Sequence, residues 1–167
     1  MNKNIIKSVY KNIILFICGF CIYITIENIF RGYSFVLMGV CGGLCVVILD
    51  KLNDYISWKM DLFWQAFIGV ILITSMELIV GKIAKYTTFL PVMWDYSNLP
   101  LNYDGIICVP FSLAWFFLSL VAIFLADSIN YYVLEDGERP HYILFGKFIF
   151  WFKKKKCDKN LWFENEK

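Results

Sequence analysis

Charge is scarce in this sequence: Asp, Glu, Lys and Arg make up 18% of 167 residues, while 59% are hydrophobic and 19% aromatic. Soluble domains carry about 25% charged and about 45–50% apolar residues. With a mean hydropathy of +0.60 and apolar residues gathered into long runs, an ordinary water-soluble domain, a coiled coil and a disordered chain are all excluded. Histidine occurs once, at His141, so the cysteine pairs Cys18/Cys21 and Cys41/Cys45 lack the partners that zinc or redox chemistry needs. No Ser/His set, paired aspartate motif or metal set stands at usable spacing, so the chain reads as no enzyme, with no cofactor. Five of the six cysteines, Cys18, Cys21, Cys41, Cys45 and Cys108, lie inside apolar runs, where they serve as small packing residues with reduced thiols. A small-x-small cleavage site is missing after the first apolar run, where Thr25-Ile26-Glu27-Asn28 stands. The basic start (Lys3, Lys7, Lys11) therefore leads into a retained helix and not a signal peptide.

What is present is four apolar runs, at about 13–30, 33–49, 62–84 and 106–126. Each is close to the roughly 20 residues that cross a hydrocarbon layer about 30 Å thick. The last carries no charge at all. Threading them alternately places thirteen lysines and arginines on the side holding both termini and three (Arg31, Lys82, Lys85) on the other. The positive-inside rule then puts both termini in the cytoplasm. The expectation is an all-α polytopic membrane protein: a bundle of four transmembrane helices over residues 1–126, a structured outer loop, and a basic cytoplasmic tail over 127–167.

Within that tail, 142–152 is an aromatic-rich run of eleven residues, too short to span, followed by four lysines. Trp151 with Lys153, Lys154, Lys155 and Lys156 suits a segment lying in the headgroup layer, the lysines drawn to anionic lipid. The alternative is that the run docks on the cytoplasmic end of the bundle and the lysines only set topology. Nucleic-acid binding ranks behind both.

Carboxylates inside spans are the best pointers to function, since each costs about 2.5–3.5 kcal/mol at a helix centre. Glu77 lies in the outer half of the third run, and Glu27 lies at a comparable depth in the first. Glu27 and Arg31 are spaced as an i,i+4 pair. A shared polar pocket of Glu27, Arg31, Glu77, Trp94, Asp95, Tyr96 and Asn102 is one reading, holding a cation or a proton. The plainer one has Glu27–Arg31 capping the span while Glu77 bonds a Tyr, Ser or backbone group. Arg31, Tyr96 and Asn102 are the expected partners of an inward-facing Glu77. Gly39 and Gly43 form a GxxxG pair for close helix packing, within the chain or between chains. The connection 85–105 is long for a loop, and its aromatics and prolines favour an ordered cap folded back on the bundle. Asp104-Gly105 could cap the fourth helix.

Trp94-Asp95-Tyr96-Ser97, Leu99-Pro100-Leu101-Asn102, Gly105-x-Ile107-Cys108 and Phe111-Ser112-Leu113-x-Trp115 resemble the signature of the putative ABC-transporter type IV family, also labelled CmpB-like putative ABC transporter permease. Glu27 with Arg31-Gly32, Gly42-Gly43-Leu44-Cys45, Glu77 and Pro140-His141-Tyr142 extend the likeness over roughly residues 22–145. The resemblance implies a multi-pass protein of the bacterial inner membrane. The chain has no Walker A pattern, so transport would need a partner ATPase, a partner membrane subunit or homo-oligomerisation. The leading expectation is a transport-associated membrane subunit with a polar pocket on its outer side. An oligomeric, holin-like pore and a structural or regulatory membrane protein are the alternatives.

Overall fold

The computed structural model describes residues 3–55, 60–87, 90–135 and 138–154. Four helices dominate: α1 (Lys3–Arg31), α2 (Val36–Tyr55), α3 (Leu62–Tyr86) and α4 (Val109–Ser128), the last running on into a π-helical turn, Ile129–Val133. Three stretches, Ile5–Arg31, Leu62–Tyr86 and Val109–Val133, are long and apolar enough to cross a membrane. The second expected span is the shorter one. Tyr33 to Phe35 are not helical, and Asp50 and Lys51 follow Leu49. Its uncharged helical part, Val36–Leu49, therefore covers only about 21 Å at 1.5 Å per residue.

The all-α expectation needs correction, because two small antiparallel hairpins are present. Strand β1 (Asn102–Tyr103) pairs with β2 (Ile107–Cys108), and β3 (His141–Leu144) pairs with β4 (Lys147–Trp151). Both turns hold residues at positive φ, Asp104-Gly105 in one and Phe145-Gly146 in the other. A glycine at the second position makes that reversal cheap. The aromatic run 142–152 thus folds as most of a hairpin. Tyr142, 1% exposed, packs with Leu62 and Ile123, whereas every residue of β4 is exposed. Docking on the bundle is the outcome for one face of this segment.

The helices pair through small residues. A Cβ on Gly42 would sit 2.6 Å from Tyr23 Cβ, and one on Gly43 would sit 2.7 Å from the Phe16 ring, so α2 lies directly on α1. Between α3 and α4, Gly69 faces the buried Ser119, and farther along α3 Gly81 faces Ile106, which precedes α4. Lipid tails are as apolar as leucine, so close approach and internal polar contacts, not hydrophobicity, hold such helices together. The outward faces agree: Ile71, Ile79, Phe117 and Val121 are all exposed, as they should be with lipid as solvent. Asp61 fixes one end of α3, its carboxylate accepting from Phe63 N (2.9 Å) and from Gly146 N of the hairpin turn (3.0 Å). The fourth helix starts at Val109 with Pro110 in its first turn, and Asp104 does not cap it.

Candidate functional site: a buried carboxylate among aromatic rings

Glu77 is 6% exposed and faces inward from α3, nine residues before the helix ends. Its Oε2 accepts from Trp115 Nε1 at 2.8 Å, and its Oε1 accepts from the Tyr96 hydroxyl at 3.4 Å. Each donor is itself placed by stacking. Trp115 lies against Tyr23 (6.0 Å between centroids, 20° between planes), and Tyr96 lies against Phe111 (4.6 Å, 17°). Both donors are neutral. Among the described residues no lysine or arginine pairs with Glu77, so its carboxylate meets hydrogen bonds but no counter-charge.

A cavity of about 60 Å³ opens beside Glu77, running between all four helices; Tyr23, Cys41, Met76, Trp94 and Trp115 line it near the carboxylate. Trp94 is held by its indole N–H on Ile106 O (2.8 Å) and is buried with Met93 and Met38. Gly81 leaves the room that Ile106 and Trp94 occupy. The 91–105 segment is thus an ordered cap, tied further by Tyr96 N on Gly105 O (2.7 Å) and Leu99 N on Tyr96 O (2.9 Å). Its Trp94 and Tyr96 lie over the Glu77 layer.

The expected seven-residue pocket divides into three groups. Glu77, Tyr96 and Trp94 come together. Glu27 and Arg31 form an ion pair with each other, and Arg31 also donates to Met93 O (2.9 Å) and lies over the Tyr33 ring. Arg31 is therefore occupied at the end of α1 and is not the partner of Glu77. Asp95 and Asn102 shape the loop: Asp95 accepts from Ser97 N (2.9 Å), and Asn102 donates to Leu99 O (2.8 Å). With Lys85, Asp104, Ser97 and Trp94 they border a more open bowl of about 440 Å³ between the cap and the end of α3. The Ser97 backbone N–H holds the Asp95 carboxyl below the ordinary aspartate range, and the Lys85 ammonium does the same for Asp104. Gly39 and Gly43 both face α1, against Phe20 and Phe16.

Trp115, Tyr23, Asp50 and Asp127 are the contributors that sequence reasoning missed. Trp115 stood only in the family signature, and the two aspartates read as the outer limits of apolar runs. At the opposite end from Glu77, Asp50 (2% exposed) pairs with Lys11 at 2.8 Å and accepts from Asn130 Nδ2 at 2.5 Å. Asp127 (3%) accepts from the Tyr142 hydroxyl at 2.6 Å, which fastens the tail hairpin to α4. Burial, then the Asp127 charge, push the Tyr142 hydroxyl well above its ordinary range. On the hairpin's outer side Trp151 stacks on His141 (4.5 Å) and lies 5.2 Å from the Arg139 guanidinium, with Lys153 and Lys154 also exposed. Lys155 and Lys156 lie outside the described residues.

A family model described as putative ABC-transporter type IV matches residues 14–152, and the chain belongs to that family. No curated protein matches it, and no solved structure does.

Proposed function

We propose that this member of the putative ABC-transporter type IV family is a four-span, transport-associated subunit of a bacterial cytoplasmic membrane, with a proton or small-cation site at Glu77. The observation that carries the reading is Glu77 itself: a carboxylate in the interior of a membrane helix, met by two neutral donors and facing a cavity. Such a charge is expensive in hydrocarbon and marks ligand or ion pathways in membrane proteins. A proton or a cation completes it.

The spans are α1 to α4, with α2 crossing as the short member alongside α1, and local bilayer thinning makes up the difference. The thirteen-to-three distribution of basic residues favours both termini inside, which puts Trp94 and Tyr96 at the outer end. Exposure of the Glu77 cavity then alternates between a capped state and one in which the 91–105 segment has lifted, and a partner ATPase supplies the driving energy. The tail hairpin sits at the inner interface with Trp151 and its lysines toward lipid headgroups. Gly39 and Gly43 are used within the chain, so no specific feature favours an oligomeric pore.

The test is purification from the native membrane in mild detergent, wild type beside Glu77→Gln. We expect an ATPase to accompany both, and its turnover to respond to cation or proton load only in the wild-type complex. A wild-type preparation with no ATPase bound overturns the transport-associated reading.

A further inference from the structure

We infer that the outer face of the β3–β4 hairpin binds anionic phospholipid, Trp151 and Phe148 seating in the headgroup layer while Arg139, Lys147, Lys153 and Lys154 take the phosphates. The inference rests on the reading of the tail hairpin as a membrane-interface element and deepens it, by naming the lipid class that the hairpin selects.

Position comes first, because the hairpin is fastened where two apolar helices end. The Tyr142 hydroxyl donates to Asp127 near the end of α4 (2.6 Å), and Gly146 N donates to Asp61, the cap of α3 (3.0 Å). At the hairpin tip the Phe145 ring lies 5.8 Å from Phe63, in the first turn of α3. Next along that helix Trp64 and Phe67 are exposed, as in the aromatic belt that marks a membrane boundary. Tied to both helix ends, the hairpin is held at the level where hydrocarbon gives way to headgroups.

The two faces of the hairpin differ, since side chains alternate across a strand. Tyr142 and Phe150, opposite each other in register, both turn to Phe124 of α4, at 4.6 and 5.9 Å. His141 and Trp151, the next pair, lie on the other side. The bulge leaves Ile149 without a partner in the ladder, which brings Phe148 to the Trp151 side, 5.8 Å from its ring. Trp151 and Phe148 are each about half exposed, and Phe145 at the tip is more exposed still. Several rings left uncovered on one small element mark an interaction surface. Indole suits a headgroup layer in particular, having an apolar body and one polar N–H.

Charge selects the partner. The Arg139 guanidinium lies 5.2 Å from the Trp151 ring, its Nε anchored on Phe152 O. Lys147, Lys153 and Lys154 are exposed on the same hairpin and its exit. Among the described residues of the tail, Glu135 and Glu138 are the exposed carboxylates, while Asp127 is buried against Tyr142. Four cations thus outnumber two anions, and Lys155 and Lys156 follow in the sequence. A zwitterionic surface gives such an excess nothing to neutralise, whereas each Lys or Arg near an anionic one strengthens binding about fivefold.

The experiment is hydrogen exchange, read by mass spectrometry, on the full-length protein in bilayers of phosphatidylcholine alone or with about one-third phosphatidylglycerol. We expect exchange in 141–151 to be at least tenfold slower with phosphatidylglycerol. The difference should vanish at about 1 M salt, where the screening length is about 3 Å. The triple variant Lys147→Gln, Lys153→Gln, Lys154→Gln should lose most of it while α3 and α4 exchange as in the wild type. Should that variant disturb α4, the wild-type lipid and salt series decides the matter alone. A headgroup-labelled nitroxide lipid should quench the fluorescence that Trp151→Phe removes, which checks the interface reading apart from charge. Equal exchange in the two bilayers, with Trp151 quenched, overturns the anionic inference and leaves the interface reading standing. Trp151 unquenched in both bilayers overturns the two together. Slowing that needs a soluble protein added back assigns the face to a protein partner and also overturns the inference.

Discussion

Replacing Trp115 by Phe removes one hydrogen-bond donor from Glu77 while keeping an aromatic ring beside Tyr23. The bond at stake is 2.8 Å long and joins two buried side chains, one on α3 and one on α4. Hydrogen bonds to charged groups net about 1.5–3 kcal/mol in soluble proteins. Those between membrane helices average about 0.6 and reach about 1.7 kcal/mol, because the unfolded chain in the membrane also finds partners. We therefore expect the bond to contribute about 1–1.5 kcal/mol. The smaller ring also leaves space in the cavity wall, which brings the total loss to about 2–3 kcal/mol. A double-mutant cycle with Glu77→Met, which leaves no acceptor for the indole, separates the two effects, since only the bond depends on the identity of residue 77. The assay is reversible unfolding in mixed micelles with a graded fraction of denaturing detergent, read by circular dichroism. The cycle should give a coupling of about 1 kcal/mol. Coupling no larger than the roughly 0.3–0.5 kcal/mol seen between distant sites would refute the claim that this indole holds the carboxylate.

Three further outcomes are expected. Gly42→Val places side-chain atoms where Tyr23 lies 2.6 Å away, and should cost about 1–3 kcal/mol by forcing α2 off α1, measured in the same micelle titration. Tyr142→Phe deletes the hydroxyl bonded to Asp127, and the hairpin should become the first site of limited proteolysis while the helical signal is unchanged; an unaltered cleavage pattern contradicts its docking role. Asp95 and Asp104 are held below the ordinary aspartate range, so the support they give the cap is present above that range and is lost as pH falls through their folded-state values. Hydrogen exchange in 95–105 should accordingly speed up on acidification well before the helices open, and Asp104→Asn should abolish most of that dependence.

Much of the helical plan could be read from hydropathy, because long apolar runs near Ile13–Phe30, Leu62–Ala84 and Ile106–Ala126 leave a chain in lipid few alternatives to helix. The structure extends α1 back to Lys3 and begins α4 at Val109, since turn residues 104–105 and the β1–β2 pairing take up the start of the last run. The hairpin at 141–151 was not legible. Alternation of Tyr142 inward and His141 outward is masked where nearly every neighbour is also aromatic or apolar, and a bulge between Tyr142 and Ile143 breaks the register. The inward orientation of Glu77 followed from the cost of exposing it to lipid, and Tyr96 was among its expected partners. Trp115 was not, because an indole inside an uncharged run reads as packing until a carboxylate is brought opposite its N–H. Asp50 and Asp127 were hidden for a related reason: a charge at the edge of an apolar run looks like the start of a loop, and only tertiary contact with Lys11, Asn130 and Tyr142 reveals it as interior.

The central claim is that Glu77 is a membrane-interior carboxylate whose charge is completed by a bound proton or cation. Carbodiimide labelling of the full-length protein in native-like membrane, located by mass spectrometry, addresses it most directly. The account predicts modification of Glu77 by a lipid-soluble carbodiimide, little by a water-soluble one, and protection when the cation that stabilises the protein is added. Rapid modification by the water-soluble reagent, or labelling that no cation or change in pH alters, would contradict it.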